Sequence, residues 1–196
     1  MHRARVRSAR LGVLPGSFHP ITRAHVALAQ AALEHVDEVV FVMPEQFPHK
    51  EYEWVDLEGR LHLVRAAARE HERFSVAVSR GGLFVEIARE CKEAWGAGCD
   101  PWFLCGRDAA ERIMGWDYGE ARVGSAVLEE FGLLVAQRQG IYKPPADAAE
   151  RVRTLAIGEE WDAVSATEVR RRIAAGEPWD HLVPEAAAKL AGDLYR

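Results

Sequence analysis

Cysteine is scarce in this sequence, which has three among 196 residues, at Cys91, Cys99 and Cys105. The number is odd and no two of them form a C-x-x-C pair, so the sequence lacks both a disulfide framework and a common zinc spacing. We therefore expect free thiols, no protein-held metal site and a location in the reducing cytoplasm.

Long hydrophobic runs are missing too. The basic first ten residues are followed only by residues 11–14, Leu-Gly-Val-Leu, before Pro15 interrupts the run. A signal peptide needs about 7–15 apolar residues at that point, and a membrane span needs about 20. We expect residues 1–9 to form a flexible extension, and we expect no membrane partner.

The sequence also lacks an excess of positive charge. It has 25 Lys and Arg against 30 Asp and Glu, for a formal net charge of -5. Proteins that bind a nucleic acid polymer do so through a basic face, and this balance argues against such a partner. A nucleotide-sized ligand remains compatible with it, since a few local donors are enough to bind one.

The apolar content is sufficient for a folded core, with 48% hydrophobic residues including six Trp. This length is typical of one domain, and we predict a single domain over residues 1–196. Because short β-rich runs alternate with helical ones, we predict an α/β fold with a Rossmann-like parallel sheet. The predicted strands cover residues 10–14, 39–43, 74–78, 102–105 and 133–136, and the predicted helices cover residues 22–35, 58–70, 84–94 and 109–113. After a proline pair near residue 145, we expect a small helical C-terminal part over about 145–196.

The loop after the first predicted strand has neither the dinucleotide fingerprint G-x-G-x-x-G nor the P-loop G-x-x-x-x-G-K-[ST]. It has a turn at Gly16 and a helix start near Thr22, where backbone N–H groups favour a phosphate. Thr22 and His25 lie three residues apart on one face, where both would donate to a phosphate oxygen. The alternative is that Thr22 only caps the helix and His25 is a half-buried polar residue. The residues alone leave both interpretations open.

A second helix start lies near the C-terminal end. Ser165 followed by Glu168 matches a capping box, and Ser165, Thr167 and Arg170 would form another anion site. Capping boxes are mostly structural, so a purely structural role is open here as well. Two such helix starts in one α/β chain favour a triphosphate ligand.

These residues resemble a known superfamily. Nucleotidyltransferases carry an (H/T)-x-x-H loop and an I-S-x-T-x-x-R motif, which are similar here to G-S-F-H-P-I-T-x-x-H from Gly16 and to S-A-T-E-V-R from Ser165. The order of motifs further resembles that of the nicotinate/nicotinamide mononucleotide adenylyltransferases. Their P-x-x-x-P-H-K loop is similar to residues 44–50, and their strand–G-x-D–helix–W segment is similar to residues 103–116.

The resemblance implies transfer of AMP from ATP to a pyridine mononucleotide, with release of pyrophosphate, in NAD biosynthesis. It implies Mg²⁺ bound mainly through the ATP phosphates. It assigns catalytic roles at the phosphates to Thr22, His25 and Arg170. The ATP-binding residues that it implies are Gly16, Ser17, Phe18, Lys50, Gly106, Asp108, Ser165 and Thr167. The mononucleotide-binding residues that it implies are His49, Arg80 and Trp116.

Two places depart from the family pattern. His19 stands where bacterial members carry Asp and eukaryotic-type members Asn, so no role carries over to it. Residues 79–84 replace the S-Y-T-x-x-T stretch that recognises the nicotinate carboxylate. Arg80 would meet that carboxylate by charge or would be solvated, and the Gly81 and Gly82 amides would bind it or form a flexible turn. Nicotinate or nicotinamide, another phosphorylated acceptor, and an inactive nucleotide sensor therefore all remain open.

Overall fold

Six strands form one parallel sheet in the structure, a computed structural model that describes residues 2–4, 6, 8–45, 55–115, 124–137, 142–144 and 146–195. The strands are β1 (Arg10–Pro15), β2 (Glu38–Pro44), β3 (Phe74–Ser79), β4 (Asp100–Gly106), β5 (Gly132–Ala136) and β6 (Val152–Leu155). The helices are α1 (Arg23–Ala32), α2 (Leu57–Ala68), α3 (Phe84–Trp95), α4 (Arg107–Gly115), α5 (Ala166–Ala175) and α6 (Glu185–Leu194). Short 3-10 helices cover Gly124–Glu129, Ala146–Ala148, Glu159–Trp161 and Asp180–Leu182. No described helix has the length and apolar character needed to cross a membrane.

Helices cover both faces of the sheet, which explains the unbroken apolar runs of its central strands. Every residue of β2 is buried, and successive side chains point to opposite faces. Phe41 and Met43 belong to the core formed with α1, α2 and α6, whereas Val40 and Val42 belong to the core formed with α3 and α4.

The strand order β3-β2-β1-β4-β5-β6 reverses direction between β1 and β4. From β1 the chain proceeds outward to β2 and β3, and it then returns to pair β4 with the other side of β1. Crossovers on either side of this point leave a crevice outside the carboxyl ends of the two strands, where open α/β sheets bind their ligands. The loop after β1 and the loop after β4 therefore belong to one candidate site.

The predicted α/β parallel sheet is confirmed, and the five predicted strands lie within two residues of their observed bounds. The sequence prediction missed β6, which lies inside the segment expected to be helical, so that expectation was wrong for residues 152–155. Only the first and last residues of β6 are buried, while Arg153 and Thr154 are exposed. An edge strand of four residues with two exposed polar positions has no apolar run to reveal it.

Parts of the N-terminal segment lie against the sheet, in contrast to the flexible extension expected for residues 1–9. His2 pairs with Val76 in an antiparallel bridge at the outer edge of β3. The backbone N–H of Ala4 donates to Ser75 Oγ at 2.7 Å, and the Ser8 hydroxyl donates to a carboxylate at the start of β2. These contacts attach the described residues of the segment to the sheet.

Candidate active site

The loop after β1 folds over one buried aromatic ring. Phe18 has a positive φ of 42° and is only 2% exposed, and its ring packs edge-on against His25 and Phe41 at centroid distances of 5.2 and 5.6 Å. A Cβ atom added at Gly16 would stand 3.0 Å from the same ring, so the turn requires glycine. The Phe18 side chain, which the resemblance places in the ATP-binding loop, is thus a core residue that supports the His25 imidazole.

The start of α1 combines the two interpretations that the sequence left open. Thr22 is fully buried, has an extended backbone and is the N-cap of the helix. Its backbone N–H donates to His25 Nδ1 at 3.0 Å, and its hydroxyl lies 2.8 Å from the same nitrogen. Because a backbone N–H can only donate, Nδ1 accepts, and the proton of the neutral ring is on Nε2. The cap therefore fixes the His25 tautomer in which Nε2 is a donor.

The start of α5 is capped as predicted. Ser165 has an extended backbone, and its Oγ accepts from the Glu168 N–H at 3.1 Å. The Glu168 carboxylate pairs with Arg171 and Arg172 at 2.9 and 2.7 Å instead of closing the capping box. Arg171 and Arg172 are therefore engaged in ion pairs on α5.

Arg170 joins the two motifs. Its Nη1 donates to the backbone carbonyl of His19, 151 residues earlier in the chain, and its Nη2 lies 3.4 Å from Thr167 Oγ1. The guanidinium is therefore held between the start of α5 and the loop after β1. Both of the sequence motifs that predicted an anion site meet at this point.

A cleft of about 160 Å³ lies between these elements. It contains the N-terminal turns of α1 and α5 and the carboxyl ends of β4 and β5. Its lining residues are Thr22, Ala24, His25, Leu28, Gly106, Ala136, Ile157, Val164, Ser165 and Ala166. Sites that enclose a whole small-molecule ligand measure about 300–1,000 Å³, so this cleft is the size for part of a nucleotide. None of these lining residues is acidic, which suits an anionic group.

Two further loop residues have supporting positions. The Ser17 carbonyl accepts a 2.9 Å hydrogen bond from Nη1 of Arg60, a buried residue of α2. His19 is buried, and its Nδ1 lies 2.7 Å from the Tyr195 hydroxyl. Burial, together with the nearby Arg170 and Arg60, lowers the pKa of His19 to about 4, so its ring is neutral at pH 7.

Arg60 and Tyr195 are the site residues that sequence reasoning missed or left without a role. Arg60 opens the helix after the second strand, and the family pattern alone could have indicated it. Tyr195 is 176 residues from His19, and no local pattern connects the two.

The structure does not bring Asp108 or Arg80 into the cleft. Asp108 is exposed on the first turn of α4 and lies 3.7 Å from Arg107 Nε, whereas the neighbouring Gly106 lines the cleft. The Arg80 side chain is 77% exposed, lies 3.8 Å from Glu93, and lines a separate groove of about 320 Å³ between β3 and α3.

The backbone amides of the loop after β3 already have carboxylate partners. Glu90 accepts from the N–H groups of residues 80 and 81 at 3.1 and 2.9 Å. Glu86 accepts from those of residues 82 and 83, each at 3.0 Å. The amides that the sequence suggested as readers of a substrate carboxylate are thus bound to side chains of α3.

Three predicted site residues lie outside the part of the chain that the structure describes. They are His49, Lys50 and Trp116. Among the described residues, no three His, Cys, Asp or Glu side chains form a group that could hold a metal ion.

Known proteins resemble this chain over most of its length. The family model described as cytidylyltransferase-like matches residues 13–172. A probable nicotinate-nucleotide adenylyltransferase of Thermus thermophilus is 32% identical over 184 residues, which cover 90% of this chain and 93% of that protein. A probable nicotinate-nucleotide adenylyltransferase of Moorella thermoacetica is 28% identical over 195 residues, covering 92% of this chain and 88% of that protein.

A solved structure shares the fold. Plasmodium falciparum nicotinic acid mononucleotide adenylyltransferase complexed with NaAD superposes with a TM-score of 0.71 at 17% sequence identity, covering 95% of this chain and 97% of that one. The same enzyme complexed with APC gives a TM-score of 0.70 at 15% identity, covering 95% and 96% of the two chains.

Proposed function

We propose that this chain, which belongs to the cytidylyltransferase-like family, transfers AMP from ATP to nicotinate mononucleotide or its amide, with release of pyrophosphate, in NAD biosynthesis. The observation that carries the proposal is the meeting of two capped helix starts at one cleft, with Arg170 bonded to the loop between them. The names of the similar proteins support the choice of substrates.

In the proposed reaction the acceptor phosphate attacks the α-phosphorus of ATP, so no side chain needs to act as nucleophile. Negative charge grows on the non-bridging α-phosphate oxygens, where the Nε2–H of His25 and the backbone start of α1 would stabilise it. Fixed donors in a partly dry cleft stabilise such charge without reorganising during the reaction. Positioning two bound phosphates in line supplies much of the remaining rate.

The β- and γ-phosphates are assigned to the start of α5. Ser165, Thr167 and Arg170 would bind them there, with Lys50 reaching in from its loop, and Gly16 and Ser17 would shape the loop beside the phosphate chain. Gly106 would meet a ribose at the end of β4, and Asp108 would act there only by turning toward the ligand. His49 and Trp116 are proposed to contact the mononucleotide.

Mg²⁺ fits this site as a companion of ATP. The described lining residues supply hydroxyl, imidazole and backbone groups but no carboxylate, so ATP phosphate oxygens and water would hold the ion. When bound, it would offset the repulsion between the two anionic substrates. Thr22 and Ser165 would then orient the phosphates that carry it.

The acceptor is proposed as nicotinate mononucleotide first and the amide second. Another phosphorylated acceptor is the second candidate, because the amides after β3 are bound to Glu86 and Glu90. A cytoplasmic location is proposed from the three free, buried cysteines. The reaction requires no nucleic acid polymer, membrane or second copy of the chain.

The deciding experiment supplies the purified protein with ATP and Mg²⁺ and either mononucleotide, and it measures pyrophosphate release. Release with nicotinate mononucleotide above that with the amide supports the proposal in full, and the reverse order corrects the acceptor. Release only with another phosphorylated metabolite would favour the second candidate. Tight ATP binding with no release on any acceptor would identify an inactive nucleotide sensor and contradict the proposal.

A further inference from the structure

Tyr195 connects the C-terminal helix to the loop after β1. It follows α6 directly, is 4% exposed, and places its hydroxyl 2.7 Å from His19 Nδ1, with the two rings 5.1 Å apart between centroids. Burial raises the pKa of the Tyr195 hydroxyl and lowers that of the His19 ring, so both groups are neutral at pH 7. The contact is therefore a buried hydrogen bond between two neutral groups, which water and salt weaken little.

His19 has a second contact through its backbone. Its carbonyl oxygen accepts the hydrogen bond from Arg170 Nη1, while its ring faces Tyr195. Fixing the ring limits rotation of the peptide that carries this carbonyl. The position of the Arg170 guanidinium thus depends on a hydroxyl group from another helix.

The helix that carries Tyr195 is itself anchored close to the site. Nε of Arg23, the first residue of α1, donates to the Val183 carbonyl just before α6 at 3.1 Å. On α2, a Cβ added at Gly59 would stand 3.6 Å from Leu194 Cδ1, which shows how closely α6 packs there. α6 is therefore a rigid support from which Tyr195 can hold the loop.

We propose that Tyr195 is a positioning residue for the adenylyl transfer: by holding His19, it keeps the Arg170 guanidinium where the β- and γ-phosphates of ATP bind. The inference rests on the proposed function, because it uses the role assigned there to Arg170. Nothing in the motifs of the sequence indicates a role for Tyr195.

The first test replaces only the hydroxyl, with Tyr195→Phe. Tyr142→Phe is the matched control, because Tyr142 is also buried but packs in the core on the other face of the sheet. The loss of one buried hydrogen bond should weaken ATP binding about threefold to tenfold. The KM for ATP should rise by a similar factor, while the KM for the mononucleotide and the ATP affinity of Tyr142→Phe stay at the wild-type value.

A double-mutant cycle separates positioning from general loosening of the fold. If Tyr195 acts through Arg170, Tyr195→Phe should have no further effect on the ATP affinity of Arg170→Lys, since the bidentate phosphate contact is already lost. Multiplying effects in the double variant would overturn the inference. If circular dichroism shows that Tyr195→Phe does not fold, His19→Leu removes the same bond, keeps the backbone carbonyl and replaces it in the cycle.

Calorimetry of ATP binding without acceptor keeps this test apart from that of the proposed function. Weaker binding by Tyr195→Phe supports the inference even where the wild-type protein turns over neither mononucleotide. Equal binding by the two proteins overturns it even where turnover is fast. A wild-type protein that binds no ATP overturns the inference and the proposed function together.

Discussion

The two ends of the sheet use polar side chains in opposite ways. At the amino end, the carboxylate of Glu38 is fully buried, yet it accepts hydrogen bonds from Ser8, from Ser75 and from Trp95 Nε1, the last at 3.0 Å. Asp100 at the start of β4 is likewise engaged by side chains of the protein. Both carboxylates are satisfied within the chain.

At the carboxyl end, donors surround a space. Thr22, His25 and Ser165 line a cleft whose described lining holds no carboxylate to neutralise them. Buried charge that is fully hydrogen-bonded rigidifies a fold, whereas donors without an internal counter-charge are available to an anion. The comparison teaches that in this chain the location of a polar group along a strand separates structural from functional roles.

The largest effect should come from His25 at the open end. His25→Ala removes the Nε2 donor assigned to the α-phosphate, and we expect turnover to fall about 10²–10³-fold. The lost contact with Thr22 should lower the free energy of unfolding by only about 1 kcal/mol. Pyrophosphate release measures the rate, and the exposed His62 supplies the control variant His62→Ala. A folded His25→Ala protein with the wild-type rate would remove His25 from the mechanism.

The closed end should show the reverse pattern. Glu38→Gln keeps the shape of the side chain but replaces a charged acceptor of three hydrogen bonds, so we expect the free energy of unfolding to fall by about 2–3 kcal/mol. Turnover of the folded protein should be unchanged. Urea denaturation measures the first quantity, with the exposed Glu34→Gln as control. A loss of turnover without a loss of stability would break the comparison.

The third prediction distinguishes the two ends by pH. The folded pKa of His19 is lowered to about 4 by burial, Arg170 and Arg60, while an unfolded His titrates near 6.5. Between these values the unfolded chain binds the extra proton, so stability should fall as the pH drops from about 6.5 towards 4, by on the order of 2 kcal/mol. Urea denaturation at pH 7, 5.5 and 4 measures the loss. His19→Asn should lack this slope, and an unchanged slope in that variant would assign it to another group.

The amino end should respond at lower pH. Burial raises the pKa of Asp100, but hydrogen bonds from Arg151 and Trp102 outweigh it and leave the pKa below its usual value. A depressed carboxylate pKa contributes stability above the unfolded value near 3.9, and that stability is lost as the pH falls below it. The two ends therefore lose stability in different pH windows.

The smallest effect is expected at Arg80, which lies at the carboxyl end but outside the cleft. Exposed ion pairs such as the one with Glu93 contribute about 0–1 kcal/mol, and Arg80→Ala should change the KM of either mononucleotide less than about twofold. Arg89→Ala, which loses an exposed contact with Glu130, is the control. A selective rise in the KM of nicotinate mononucleotide would show that Arg80 reads the carboxylate and would extend the open site to the β3 edge.

Periodicity and motif order predicted most of the fold and the two halves of the cleft. The apolar run of β2 and the helix starts at Thr22 and Ser165 are local signals, and local physics determines them. Tertiary packing determines the rest. Phe18 turns inward because its ring fills the space beside Phe41, and no spacing rule indicates that.

Specific partners were also beyond prediction from sequence. The occupation of the amides after β3 by Glu86 and Glu90 depends on how α3 leaves the sheet. The Tyr195–His19 contact depends on where α6 packs after the whole sheet has formed. A lone loop Arg such as Arg80 carries the same sequence signal whether it binds a ligand or faces water.

The bond from Arg170 to His19 also orders events during synthesis. The Glu38 cluster is complete once Trp95 has been made, and β1 to β4 are complete at Gly106. At about 5–20 residues per second, several seconds then pass before the ribosome reaches Arg170 and Tyr195. A nascent chain can therefore build the first four strands while the phosphate-binding end is still unfinished, and under the roles proposed here it would not take up ATP until its final helix had emerged.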